Sequence, residues 1–261
     1  MARSEDPLSR REFNRLLAFS ALGLAAAAPQ VLAASPLTRG IFELRLLTAD
    51  PEAQRRFYDR TLGLPAVREG TEQVAVQAGG TRLIFQQARP EHGRPMYHFA
   101  FNIPENKLEL ARQWLHQRTP VIVKDGREVF HYPSWNAESV YFYDPAGNIV
   151  EFIARYNLAN ATPGPFSQEE ILYASEIGLV VDDLEREVAA LRSRLGLGVY
   201  RPGSPDLVPV GDEHRLLIVV QRGRKWFQTT PATVYPTVAK LAGGPPAHYQ
   251  VAGFPYELSL T

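Results

Sequence analysis

The chain has 261 residues, with 28 basic and 28 acidic side chains and no cysteine. That length suits one large domain or two small ones with a real buried core. Balanced charge gives no footing for nucleic acid or an anionic membrane surface, and the missing thiol excludes a disulfide framework, thiolate catalysis, cysteine-zinc sites and a lipoprotein anchor.

At the N-terminus, Ser9-Arg10-Arg11-Glu12-Phe13 precedes a mildly apolar run over residues 16–28, and Val31-Leu32-Ala33 supplies small residues for cleavage after Ala33. The segment resembles a twin-arginine signal, with Asn14 where a leucine is more usual. As a retained anchor the run is poor: it is alanine-rich and broken by Pro29 and Gln30, whereas a spanning helix needs about 20 apolar residues. The resemblance implies passage through the twin-arginine translocase into the periplasm, already folded, often with a cofactor in place. Removing residues 1–33 takes four basic and three acidic side chains, leaving 24 against 25.

The body contains an internal repeat. Glu43-Leu-Arg-Leu-Leu-Thr-Ala-Asp50 is followed by a helical stretch and Leu62-Gly63-Leu64; Glu176-Ile-Gly-Leu-Val-Val-Asp-Asp183 is followed by another and Leu195-Gly196-Leu197. Each unit reads as a strand, an Asp N-cap, an amphipathic helix and a glycine past its end. Pro51 opens the first helix, with Ala53, Phe57 and Tyr58 on its buried face; Leu184, Val188, Leu191 and Leu195 line one face of the later one. Strands follow over 73–77 and 83–86, and over 207–210 and 215–220, so the unit is βαβββ-like.

A further unit begins with a strand over 97–103 and a helix over 105–117 burying Leu108, Ala111 and Leu115. It ends in strands over 140–143 and 149–153, joined by Asp144-Pro145-Ala146-Gly147-Asn148, a turn by its chemistry. Ala252-Gly253 before Glu257 echoes Ala146-Gly147 before Glu151, at an offset that leaves the later copy short of the stretch matching His98 and its helix. The expected organisation is a signal over 1–33, a complete copy over 41–155, a linker over 156–172 containing Pro163-Gly164-Pro165, and an abridged copy over 173–261.

Phe57-Tyr58, Leu62-Gly63-Leu64, the strand from His98, and Tyr141-Phe142-Tyr143-Asp144-Pro145-Ala146-Gly147-Asn148 with Glu151 together resemble the vicinal oxygen chelate superfamily. That group includes glyoxalase I, extradiol dioxygenases and bleomycin resistance proteins. The resemblance implies an α+β fold in which tandem βαβββ modules curl mixed sheets into a cup. It also implies a divalent metal (Fe, Mn, Zn, Ni or Co) held by Glu43, His98 and Glu151, a donor set of one imidazole and two carboxylates. Many members have His or Gln where Glu43 stands, and the fourth carboxylate of glyoxalase I has only Gln86 nearby.

Other readings stand beside these. Glu43 and Arg45 lie two residues apart on one strand face and can pair with each other, His98 can be a core histidine, and Glu151 can be solvated. Glu176, recurring without a histidine, points to a structural role and an inactive second copy. His131 and Trp135 sit in a loop suited to a lid, and Arg45 is a further candidate for substrate contact. Arg224 and Trp226, in the basic run Arg222-Gly223-Arg224-Lys225-Trp226, belong either to a solvated turn or to a cover over the cup. The expected function is a periplasmic metal-dependent enzyme, a glyoxalase-like lyase or isomerase or a ring-cleaving dioxygenase. It would act on a small oxygenated molecule with Glu151 or Glu43 as proton acceptor, and a homodimer is compatible with it. The alternative is a metal-free small-molecule binding or sequestration protein.

Overall fold

Strict alternation along nearly every strand decides the architecture. In β5 (His98–Ile103), Phe99, Phe101 and Ile103 join the main apolar core, while His98, Ala100 and Asn102 face the other way. In β11 (Arg215–Gln221), Leu217 and Val219 enter that core, and Leu216, Ile218 and Val220 belong to a second, inner cluster. Both faces are dry, which is why these segments read as nearly continuous apolar runs.

The computed structural model describes residues 39–227 and 230–261. The twin-arginine segment and its cleavage site lie outside the described residues. Among those described, no helix is long and apolar enough to cross a membrane.

Among the described residues, fourteen strands share one curled sheet. Its first half joins β1 (Gly40–Thr48), β2 (Ala66–Arg68), β3 (Gln73–Ala78) and β4 (Thr81–Gln87) to β14 (Thr237–Ala242), β15 (Ala247–Gln250) and β16 (Tyr256–Leu260). The second joins β5 to β6 (Val129–Tyr132), β7 (Ala137–Tyr143), β8 (Ile149–Arg155), β9 (Tyr173–Val181), β10 (Leu207–Asp212) and β11. The halves meet where Ile41 pairs with Ala174; β12 (Lys225–Trp226) and β13 (Thr230–Pro231) form a separate ribbon. The units therefore pair crosswise: the front of copy one goes with the end of copy two, and the back of copy one with the front of copy two.

The helices follow their capping signals. α1 (Pro51–Arg56) starts after Asp50, whose carboxylate accepts from the Ala53 amide at 2.9 Å, and it widens into a π turn over Phe57–Thr61. Its buried residues are Pro51, Gln54 and Tyr58, with Ala53 and Phe57 only half-buried. α2 (Leu108–His116) is shorter than expected and buries Trp114 besides Leu108, Ala111 and Leu115. α3 (Leu184–Leu195) runs from the Asp183 cap to Gly196 in the left-handed region. Between β14 and β15 there is only a short turn in place of a helix, the physical form of the abridgement.

Two devices lock the frame. Buried Asp144 accepts from the amides of Ala146 and Asn148 at 2.9 and 3.1 Å and from Tyr58 Oη at 3.1 Å, tying the turn to α1. Beneath α2, fully buried Lys107 donates to the carbonyls of Pro163 and Gly164, so the segment between the copies is packed down by a cation satisfying its backbone.

Candidate metal centre and its cavity

Three neighbouring strands of the second half bring the acids and the imidazole together. Ala100 on β5 pairs with Glu151 on β8 to one side and with Glu176 on β9 to the other, placing both carboxylates on the inner face; His98 lies two residues along β5 on that same face. Ligand atoms of His98, Glu151 and Glu176 all lie within 4.8 Å of one another, and all three residues are buried. The small Ala100 side chain leaves the space between the acids open.

The imidazole is held in the form a metal requires. Its Nδ1 lies 3.1 Å from the Ile149 carbonyl, an acceptor only, so Nδ1 carries the proton and donates. Nε2 is left with its lone pair, 3.5 Å from Glu151 Oε2. Burial lowers the His98 pKa from 6.5 to about 4, keeping the ring neutral.

Burial and the neighbouring Glu176 push the Glu151 carboxyl well above the usual carboxylate range, with Arg155 opposing. Burial likewise raises Glu176, against the pull of Arg155. Arg155, fully buried at the end of β8, donates from Nη2 to Glu176 Oε1 and from Nε to Asn102 Oδ1 at 3.1 Å. Its Nη1 has no hydrogen-bond partner, and the guanidinium carbon lies 5.9 Å from the Trp135 ring centre. With both acids ionised, the dry floor would carry one negative charge in excess.

A proton on Glu151 or a bound cation relieves that excess. The donor set fits a divalent transition metal: a neutral imidazole with its second nitrogen tied to a carbonyl, and two carboxylates, one fixed from behind by a guanidinium.

Above this floor opens a cavity of about 580 Å³. Tyr141 pairs with Glu151 across β7 and β8, and its hydroxyl lies 2.7 Å from that of Tyr132. Phe130 and Phe227 stand edge-on to Tyr141 at 5.1 and 4.5 Å between ring centres. Trp226 lies 5.0 Å from the His98 ring. Gly178, two residues beyond Glu176, is what lets it in, since a Cβ there would stand 2.9 Å from the indole.

The expected residues are therefore partly rearranged. His98 and Glu151 come together as anticipated, and His131 and Trp135 line the cavity, His131 with its Nδ1 2.5 Å from Glu138. Arg224 and Trp226 line the cavity as well.

Glu43 and Arg45 do not belong to this centre. Glu43 pairs with Arg45 at 2.8 Å, Lys240 at 2.9 Å and Arg82 at 3.6 Å in the other half of the sheet; burial raises its carboxyl, and Arg45 and Lys240 outweigh it to hold the group below the usual range. The third group of the cluster is Glu176, from the copy expected to be inactive. Crosswise pairing is the reason: β9, and not β1, runs beside β5 over the ligand positions. Arg155, Tyr132 and Tyr141 complete the surroundings. For Arg155 the sequence did carry a signal, since a strand reading Glu151-x-Ile153-x-Arg155 puts acid and guanidinium on one face.

Comparison with known proteins agrees with this architecture. Residues 40–152 match the model of the Glyoxalase/Bleomycin resistance protein/Dioxygenase superfamily. No curated protein matches the sequence. Among solved structures, a putative dioxygenase from Bacillus subtilis subsp. subtilis str. 168 aligns over 87% of this chain and 86% of that chain, with a TM-score of 0.53 and 16% identity. Glyoxalase I from Zea mays aligns over 85% and 92%, with a TM-score of 0.48 and 15% identity. Lactoylglutathione lyase from Agrobacterium tumefaciens covers 45% of this chain and 94% of its own, with a TM-score of 0.36 and 24% identity. Over residues 40–152 the chain carries a domain of the Glyoxalase/Bleomycin resistance protein/Dioxygenase superfamily, within an α+β fold of curled mixed sheets.

Proposed function

We propose that the protein is a metal-dependent enzyme acting on a small oxygenated molecule, by glyoxalase-like isomerisation or lysis or by ring cleavage. One observation carries the reading. A buried imidazole with its Nε2 lone pair free shares a point in space with two buried carboxylates, beneath a cavity large enough for a substrate.

His98, Glu151 and Glu176 would hold the ion, which would supply Lewis acidity toward a substrate oxygen. The protein's own groups divide the remaining work. Glu151 makes no ion pair with a guanidinium among the described residues, and it is the acid suited to accept a proton from substrate and return it. Arg155 fixes one oxygen of Glu176. The Tyr132–Tyr141 pair offers a phenolic hydrogen to a substrate oxygen, and Trp226 and Phe227 limit access of water. The same Arg155 favours a second reading, a metal-free binding protein, because it already neutralises one of the two acids.

Elemental analysis of the purified full-length chain separates the two. A stoichiometric transition metal, lost in both His98→Ala and Glu176→Gln with the fold retained by circular dichroism, supports the enzyme. Metal-free protein that binds small molecules as well after either change overturns it.

The N-terminal Ser9-Arg10-Arg11-Glu12-Phe13 segment supports a periplasmic destination by way of the twin-arginine translocase. Replacing both arginines by lysine should retain the protein in the cytoplasm, as read by cell fractionation.

A further inference from the structure

The mouth of the cavity has a chemistry opposite to its floor. Lys124 and Arg127 occupy the ends of a two-residue hairpin turn, their backbones exchanging hydrogen bonds at 2.9 Å around Asp125 and Gly126, both at positive φ. That turn sets the two side chains side by side, and both line the cavity. Neither has a carboxylate within ion-pair distance among the described residues, and the exposed Asp125 of the same turn does not line the cavity.

Arg224 also lines the cavity. Arg224 pairs with Asp206 at 2.7 Å, yet its Nε is buried with no hydrogen-bond partner. Between mouth and floor stand Phe130, Tyr132, Trp135, Tyr141, Trp226 and Phe227. Lys124 and Arg127, with no acid of their own, and Arg224, with a donor left over, select an anionic group on what enters the aromatic-walled cavity.

Taking the cavity as the substrate site, as proposed above, we infer that the substrate is an organic anion with an aromatic or planar apolar body. Its carboxylate, sulfonate or similar acidic group docks against Lys124, Arg127 and Arg224, and its neutral oxygenated end points down toward His98, Glu151 and Glu176. The acidic group seeks the cations of Lys124, Arg127 and Arg224, and this sets the polarity along the ligand. Acid lies outward and oxygen inward.

Two dyes sharing one aromatic skeleton test this without knowledge of the substrate: 8-anilinonaphthalene-1-sulfonate and its uncharged counterpart N-phenyl-1-naphthylamine. Binding to the full-length protein is read by emission sensitised from Trp135 and Trp226, which line the cavity. The sulfonate is expected to bind the tighter of the two, with an affinity that falls as salt rises. Lys124→Gln/Arg127→Gln should weaken it about tenfold while leaving the neutral dye unchanged. Equal affinities in the unaltered protein, no effect of the double variant, or an equal loss for both dyes would each overturn the inference. Metal content measured on the same samples keeps this outcome apart from the metal reading, since dye discrimination by charge persists or fails whether or not the floor holds an ion.

Discussion

The two halves of the sheet are built from the same kind of unit and have come to opposite ends. Around Glu176 stand Ala100 on one neighbouring strand and Leu216 on the other; around Glu43 the corresponding neighbours are Lys240 and Arg82. Two residues on, Gly178 in one half matches Arg45 in the other. Beyond Ala100 lies Glu151, and beyond Lys240 lies Ser259. One carboxylate is thus bordered by small or apolar groups that leave room beside it, while the other is enclosed by three cations. The first half also carries no counterpart of α2 and the loop after it, because the last unit lacks that stretch, and its inner face keeps half-buried or exposed polar groups such as Lys240, Ser259 and Glu257. A site needs a charge left partly unanswered, and the half that answered its charge internally has none.

The sharpest way to break this contrast is to remove the cation that pairs with Glu176. Arg155→Met leaves two desolvated acids facing each other and is expected to cost about 3–5 kcal/mol of unfolding free energy. Adding Glu176→Gln should recover a substantial part of it in urea titrations, and a double variant as unstable as the single one would refute the pairing.

Acid titration of metal-stripped protein probes the imidazole. The folded His98 pKa, about 4, lies below its ordinary 6.5, so the unfolded chain takes up a proton that the folded chain refuses. The resulting stability is fully present above pH ~6.5 and is lost as the pH falls toward ~4, about 3 kcal/mol in all. His98→Gln should flatten that window. Glu43, whose carboxyl is held below its ordinary value of 4.5, acts only at lower pH: its contribution is present above about 4.5 and disappears beneath it.

The smallest effect belongs to the closed half. Glu43→Gln is expected to cost about 1 kcal/mol, its partners being partly solvated, and to leave metal content unchanged. Loss of metal in this variant would return Glu43 to the centre.

Most of the elements were legible because they rest on local signals: Asp50 and Asp183 as caps, Gly196 as a stop, the Asp144–Asn148 turn, and strands with both faces apolar. His98 and Glu151 were legible through family resemblance. The third member of the cluster was not, for a physical reason. Glu43 and Glu176 open units of the same pattern, and which unit curls beside β5 depends on long-range pairing that no local pattern encodes. The difference was nonetheless present two residues downstream. Arg45 supplies its own strand's glutamate with a partner, whereas Gly178 supplies none and makes room for an indole. Lys124 and Arg127 escaped notice because a turn bearing charges reads as a solvated loop until its side chains are found over a cavity.

Because Glu176 reaches the cluster from beyond the segment that Lys107 pins under α2, an ion held there would clasp two stretches of chain that the backbone joins only by a detour. After a protease cut within residues 157–165, the β1–β14 and β5–β9 ladders would hold the fragments together and the ion would add to them. A chelator would lower the temperature at which the nicked protein comes apart, turning occupancy of the centre into something visible in a melting curve.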